Sequence, residues 1–316
     1  MKRFALFLAL ILFSTTTLIA SDLRSGLWSA QLDGDALHLN LVQPSRHEGW
    51  GQNNIGTRIK LAVLTGLSAA DVNASAANVI FSLNAPAGTI AFDGRFSNGT
   101  GAGGFRFTPS DAFAREMESL GFAGGFKDEE MLMFAMHLFR PQTIRDLRAL
   151  GYTIDKRQLD EIAVFRIDAN YVKEIEAIGI AKPTMRELVD MRVGRVDGNF
   201  VKETRALFGD IPARQIAELG IMRVTPEYVR ELQSAGLTRL TARQATDLKI
   251  GRITAAKIAE YKRLGYDLTP RQLADFGIHR ITPEFIEEQR AAGEKDLTPE
   301  RLIELRIFSR TGARRR

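Results

Sequence analysis

Cysteine is absent from the whole 316-residue chain. That excludes a disulfide framework, thiolate metal sites and a lipidated N-terminal cysteine. Histidine is almost as scarce. The four present, His38, His47, His137 and His279, are scattered. None has a second ligand at metal-binding spacing and no His-Glu-x-x-His occurs, so a zinc site lacks clustered donors. Charge of one sign is also lacking. The formal net charge of +5 includes Lys2 and Arg3, without which 41 basic residues face 38 acidic ones, and three of the 41 are the final arginine run. A nearly balanced chain is a poor nucleic-acid binder. Recognisable catalytic motifs are missing as well. Gly66-Leu67-Ser68-Ala69-Ala70 starts like a nucleophile elbow but ends in alanine, with no strand-to-helix pattern around it; it reads as a turn or helix cap. Residues 101–104 read as a glycine-rich hairpin end, not a phosphate loop.

What is present falls into three parts. Residues 1–20 have the form of a signal peptide: basic Lys2 and Arg3, an apolar run over 4–13, and a small-residue exit at Ala20. The expectation is export to the periplasm or medium, or an N-terminal anchor if the segment is retained. No later stretch approaches the roughly 20 apolar residues a membrane span needs. Residues 22–108 show the two-residue alternation of strands. Segments 27–32 and 36–42 flank Asp33-Gly34-Asp35 as a hairpin. Further strands are expected at 57–64 and 79–83, and a second hairpin joins 89–96 to 104–107. This predicts a small antiparallel β domain of roughly six strands with Phe92, Phe96, Phe105 and Phe107 in its core. The loop 44–54, with His47, Glu48 and Trp50, is its most plausible pocket rim.

From residue 108 the apolar period becomes helical and repeats. Residues 225–253 show the unit: Thr225-Pro226-Glu227 starts a helix, Tyr228, Val229, Leu232 and Ala235 form its apolar face, and Gly236 stops it. Thr241 starts a second helix with Ala245, Leu248 and Ile250 on its apolar face. Equivalent glycines are Gly121, Gly151, Gly179, Gly209, Gly236, Gly265 and Gly293, spaced 27 to 30 residues apart. Seven units at nearly one period define a helical repeat array with a continuous core. The apolar triplets of the second helices align as Leu159/Ile162/Val164, Leu188/Met191/Val193, Ile216/Leu219/Ile221, Leu273/Phe276/Ile278 and Leu302/Leu305/Ile307.

Two ladders run through the array. Arg157/Glu161, Arg186/Asp190, Arg214/Glu218, Arg243/Asp247 and Arg271/Asp275 stand four apart, the spacing of surface ion pairs on a helix. A second ladder closes each unit: Arg140, Arg166, Arg195, Arg223, Arg252, Arg280 and Arg310. Cations there satisfy helix C-terminal carbonyls. Alternatively, their guanidinium groups form a row suited to a carboxylate-bearing partner.

The array resembles a helical repeat of exported soil-bacterial proteins and of the extracytoplasmic tails of beta-lactam-sensing, zinc-peptidase-type membrane receptors. The resemblance rests on Leu268-Thr269-Pro270-Arg271-Gln272-Leu273 followed by Asp275, and on the stretches 225–236 and 282–293. It covers about two thirds of the chain, plus Gly26-Leu27-Trp28 in the preceding β region. It implies an interaction or sensing module. The peptidase is not implied, because its spanning helices and zinc motif are missing here.

The expected architecture is therefore α+β and multidomain. A leader (1–20) precedes a β domain (22–108), a solenoid of about seven helix pairs (109–310) and a basic tail (311–316). The expected role is an exported, non-enzymatic module that binds a protein or peptide, with no cofactor, metal or nucleic acid. Arg166, Arg195, Arg223, Arg252, Arg280, Trp50 and His47 are the candidate binding residues. A sensor subunit of a membrane signalling system is the alternative. An enzyme with its site near His47, Glu48 and Trp50 is the more remote one.

Overall fold

The computed structural model describes residues 24–43 and 53–313. The leader, the loop carrying His47, Glu48 and Trp50, and the three terminal arginines lie outside the described residues. The chain divides into two compact units, residues 1–142 and 143–316.

The first unit is built on a seven-stranded antiparallel sheet. Its strands are β1 (Ser25–Asp33), β2 (Ala36–Gln43), β3 (Asn53–Lys60), β4 (Leu64–Thr65), β5 (Ala77–Ala85), β6 (Gly88–Ser97) and β7 (Thr100–Pro109). The spatial order is β3-β2-β1-β7-β6-β5-β4. Both expected hairpins form. The second turns through Asn98 and Gly99, both at positive φ, the mirror-image turn whose twist matches the flanking strands. The single strand expected over 57–64 is two. The chain leaves β3 at Lys60, turns at Leu61–Val63 and enters β4 on the opposite edge. With both edges made by consecutive residues, the twisted sheet has to curl into an open half-barrel.

Alternate residues bury an aromatic cluster on one face. The Trp28 ring meets Phe81 edge-on at 5.3 Å, Phe81 stacks on Phe92 at 4.5 Å, and Trp28 Nε1 donates to the Asp93 carbonyl at 2.9 Å. A Cβ on Gly103 would run into that same carbonyl and stand 2.8 Å from Trp28 Nε1. The run 101–104 is thus not a hairpin end. It lies inside β7 and leaves the space that the indole fills.

Three helices complete this unit: α1 (Ala69–Asn73), α2 (Asp111–Ser119) and α3 (Asp128–Met136). Helix α3 packs on β3, β5, β6 and β7, burying Met131, Leu132, Phe134, Ala135 and Met136. Unbranched methionine suits the irregular gap between a curled sheet and a helix. Phe134 also contacts Phe113 of α2 at 5.9 Å, and Arg24 pairs with Asp128 at 3.0 Å. The compact unit extends to residue 142 and takes in helix α3, which packs on the sheet.

The second unit holds the remaining helices: α4 (Pro141–Ala149), α5 (Gln158–Val164), α6 (Ala169–Ala177), α7 (Met185–Val193), α8 (Gly198–Phe208), α9 (Ala213–Ile221), α10 (Pro226–Ser234), α11 (Ala242–Ile250), α12 (Ala255–Arg263), α13 (Pro270–His279), α14 (Pro283–Ala291) and α15 (Pro299–Ala313). With α2 and α3 these make seven pairs. Side chains of Asp168, Asp197, Thr225, Thr254 and Thr282 cap first helices by accepting from the amide three residues on. All seven expected glycine stops are left-handed, with φ from +77° to +110°. Helix α15 continues to Ala313, so the expected tail begins as helix.

A longer period overlies the single repeat. Helices α4, α8 and α12 begin at 141, 198 and 255, and α7, α11 and α15 at 185, 242 and 299, each step being 57 residues. The array is thus three four-helix super-repeats. The alternation lies one residue after the central member of each apolar triplet or its equivalent. Gly220 and Gly277 there meet Gly194 and Gly251 at the end of the preceding second helix. A Cβ on Gly220 would lie 2.6 Å from the Gly194 carbonyl oxygen, so α7 and α9 touch backbone to backbone, as do α11 and α13. In the other register the small residue is replaced by Arg192, Lys249 and Arg306, which lie over the rings of Tyr171, Tyr228 and Phe285 at 3.5, 4.3 and 4.6 Å. Helices α9 and α11 lack the glycine pair, and a cavity of about 420 Å³ opens between them.

Candidate functional site

The end of each second helix is where local sequence and surface chemistry meet. In the pairs from α5 to α13 the chain leaves the helix through a residue with φ between +52° and +56°: Arg166, Arg195, Arg223, Arg252 and Arg280. The amide of this arginine bonds back three residues and the next amide bonds back five, as in Arg195 to Arg192 and Val196 to Met191. That is a Schellman ending, completed by contact between two buried apolar residues. The first helices end mostly the same way, but with glycine. A left-handed L-residue costs roughly 1 kcal/mol more than glycine. The chain therefore places a disfavoured residue at the same point five times, though its own first helices show the cheaper choice.

Arg140 and Arg310 do not belong to this row. In the first pair the left-handed residue is Leu138, two positions before Arg140. Arg310 falls inside α15, which has no such ending there.

Other cations, which sequence reading missed, tie the repeats together by capping carbonyls. Arg192 donates to the carbonyls of Phe165 and Arg166 at 3.1 and 3.2 Å, and Arg205 to those of Ile178 and Gly179 at 3.1 and 2.9 Å. Lys262 reaches Ala235 at 2.8 Å and Arg290 reaches Leu264 at 2.8 Å. Each donor sits 26 or 27 residues after its acceptor, one repeat on, and serves the negative end of a helix dipole. The spacing itself was the signal available in the sequence. All five tyrosines also tie helices together, each hydroxyl donating to a backbone carbonyl. Burial pushes the Tyr261 hydroxyl up to about 12, and Tyr228 is shifted upward for the same reason.

The side chains of Arg195, Arg223, Arg252 and Arg280 are exposed and make no hydrogen bond or ion pair among the described residues. Two residues before each of the five arginines stands an aliphatic side chain. With the counterpart in α15 these are Val164, Val193, Ile221, Ile250, Ile278 and Ile307. The sequence pattern places them on the core face. They are instead 40–53% exposed, because the last turn of each second helix rotates them away from the core before the chain reverses.

The ladder of i,i+4 ion pairs is mostly unformed. Of the five pairs only Arg186–Asp190 closes, at 3.1 Å, and Arg186 also approaches Glu161 of the preceding second helix at 3.9 Å. Arg214, Glu218, Arg243 and Asp247 have no ion-pair partner among the described residues and line the α9/α11 cavity together with Ile250. A second cavity of about 390 Å³ is lined by Tyr228, Glu231, Lys249 and Arg252, among others.

Trp50 and His47, together with Glu48, lie outside the described residues. Ser68 is the N-cap of α1 in a reciprocal capping box with Asp71, whose carboxyl the Ser68 hydrogen bonds hold below its usual value. His38 leans on Asp33 at 3.2 Å in an exposed cluster with Arg58, and that guanidinium lowers the Asp33 pKa. Among the described residues no group of three His, Asp or Glu side chains could hold a metal ion.

Comparison adds no relative: no protein-family model, curated protein or solved structure matches this chain.

Proposed function

We propose that this chain is an exported, non-enzymatic interaction module that holds a protein or peptide on the outer surface of its second helices. One observation carries the reading. Four consecutive repeats present an unpaired guanidinium at the same left-handed position, with a half-exposed aliphatic residue two positions earlier. A surface used only as a solvated face has no need to repeat an apolar group and a free cation together. Repeat arrays use such extended rows to contact partners along their length. The test is crosslinking and recovery from an envelope fraction, using the mature chain and a variant with Ile221→Asn, Ile250→Asn and Ile278→Asn. The wild type should recover a partner that the folded variant loses. Equal recovery by both, or none by either, would count against the reading.

A further inference from the structure

Resting on that reading, we infer that Arg195, Arg223, Arg252 and Arg280 form a ligand-contact row that grips an extended acidic protein segment. Three observations converge on these four side chains. The backbone at each is in the left-handed region that glycine occupies at less cost, and glycine does occupy it at the ends of the first helices. Side chains held in such conformations without a structural return mark functional positions.

The second observation is that at Arg252 and Arg280 the local structural role is already filled. Lys257 Nζ donates to the Arg252 carbonyl at 2.9 Å, Tyr228 to that of Ile253 at 2.8 Å and Tyr261 to that of Ile281 at 2.6 Å. The arginine side chains themselves remain without a bonded partner among the described residues. The third is charge. Around Arg252, Glu227 approaches Arg230 at 3.6 Å, which leaves Lys249 and Arg252 against the single carboxylate of Glu231.

Spacing and polarity say what fits. Neighbouring helices stand about 8–10 Å apart, and an extended polyproline II chain advances about 3.1 Å per residue with three residues per turn, so a carboxylate at every third residue stays on one face and meets successive arginines. Val193, Ile221, Ile250 and Ile278 favour apolar side chains between those acids. That combination describes an acidic, aliphatic polypeptide better than a nucleic acid, whose base faces stack on aromatic side chains that the row lacks.

The test uses the full chain and three labelled probes read by fluorescence anisotropy at low salt. They are a peptide of about 15 residues with glutamate at every third position and valine or leucine between, the same peptide with lysine for glutamate, and a single-stranded oligonucleotide of matching length. The glutamate peptide should bind, and Arg195→Gly, Arg223→Gly, Arg252→Gly and Arg280→Gly together should weaken it roughly tenfold or more. The same variant should keep or raise its thermal midpoint. Failure of the glutamate peptide to bind, equal binding by the variant, or a lower midpoint would overturn the assignment. Tighter binding of the oligonucleotide would overturn it too. Tighter binding of the lysine peptide would overturn the acidic assignment while leaving the interaction surface itself standing.

Discussion

Gly220→Ala isolates the close contact between second helices. Helix propensity alone makes this change favourable, because alanine inside a helix is about 1 kcal/mol better than glycine. The structure opposes it. The new Cβ would stand 2.6 Å from the Gly194 carbonyl oxygen and 3.1 Å from the Gly194 Cα. A carbon usually approaches a carbonyl oxygen no closer than about 3.3 Å, so α7 and α9 must separate by roughly 0.7 Å. The opposing atoms are backbone and cannot rotate away. Overpacking of this kind costs about 1–3 kcal/mol, which outweighs the propensity gain and leaves a net loss of about 1 kcal/mol. Urea denaturation followed by far-ultraviolet circular dichroism gives the sign. Hydrogen exchange should place the weakened amides in α7 and α9. A rise of about 1 kcal/mol in stability would show that the glycine pair is not a close-packed contact, and the account of alternating junctions would fall with it.

Gly103→Val should destabilise the first unit by about 3 kcal/mol, since the side chain meets the Asp93 carbonyl and the Trp28 ring; loss of near-ultraviolet signal from Trp28 would report it. Arg205→Met removes the donor to the Ile178 and Gly179 carbonyls and should cost about 1 kcal/mol in chemical denaturation. Tyr261 has a folded-state pKa of about 12 against the ordinary value of 10. Its contribution to stability is therefore complete below pH 10 and lost as pH rises toward 12. Unfolding measured from pH 9 to 12 should show that loss, and Tyr261→Phe should make the profile shallower while leaving the share carried by Tyr228.

The sequence by itself determined what depends on a few consecutive residues. Thr225-Pro226 and Gly236 start and stop a helix, Asn98-Gly99 turns a hairpin, and Ser68 caps a short helix, because capping and turn geometry are satisfied locally. The repeat was legible for the same reason, although its strong period of 27 to 30 residues hid the 57-residue alternation carried by Gly194, Gly220, Gly251 and Gly277. Tertiary structure decided everything that requires partners one or more repeats away. Ile250 reads as core by periodicity, yet the last turn of its helix carries it away from the core and leaves it exposed. Arg192 and Arg205 look like ordinary surface cations until the preceding helix end is placed against them. The methionine-rich helix α3 belongs to the sheet because a curled sheet presents an apolar face that only a helix can cover. The arginine row shows both halves of this. Its spacing is written in the chain, but its left-handed backbone and its lack of a bonded partner among the described residues follow from how the two helices of each pair close.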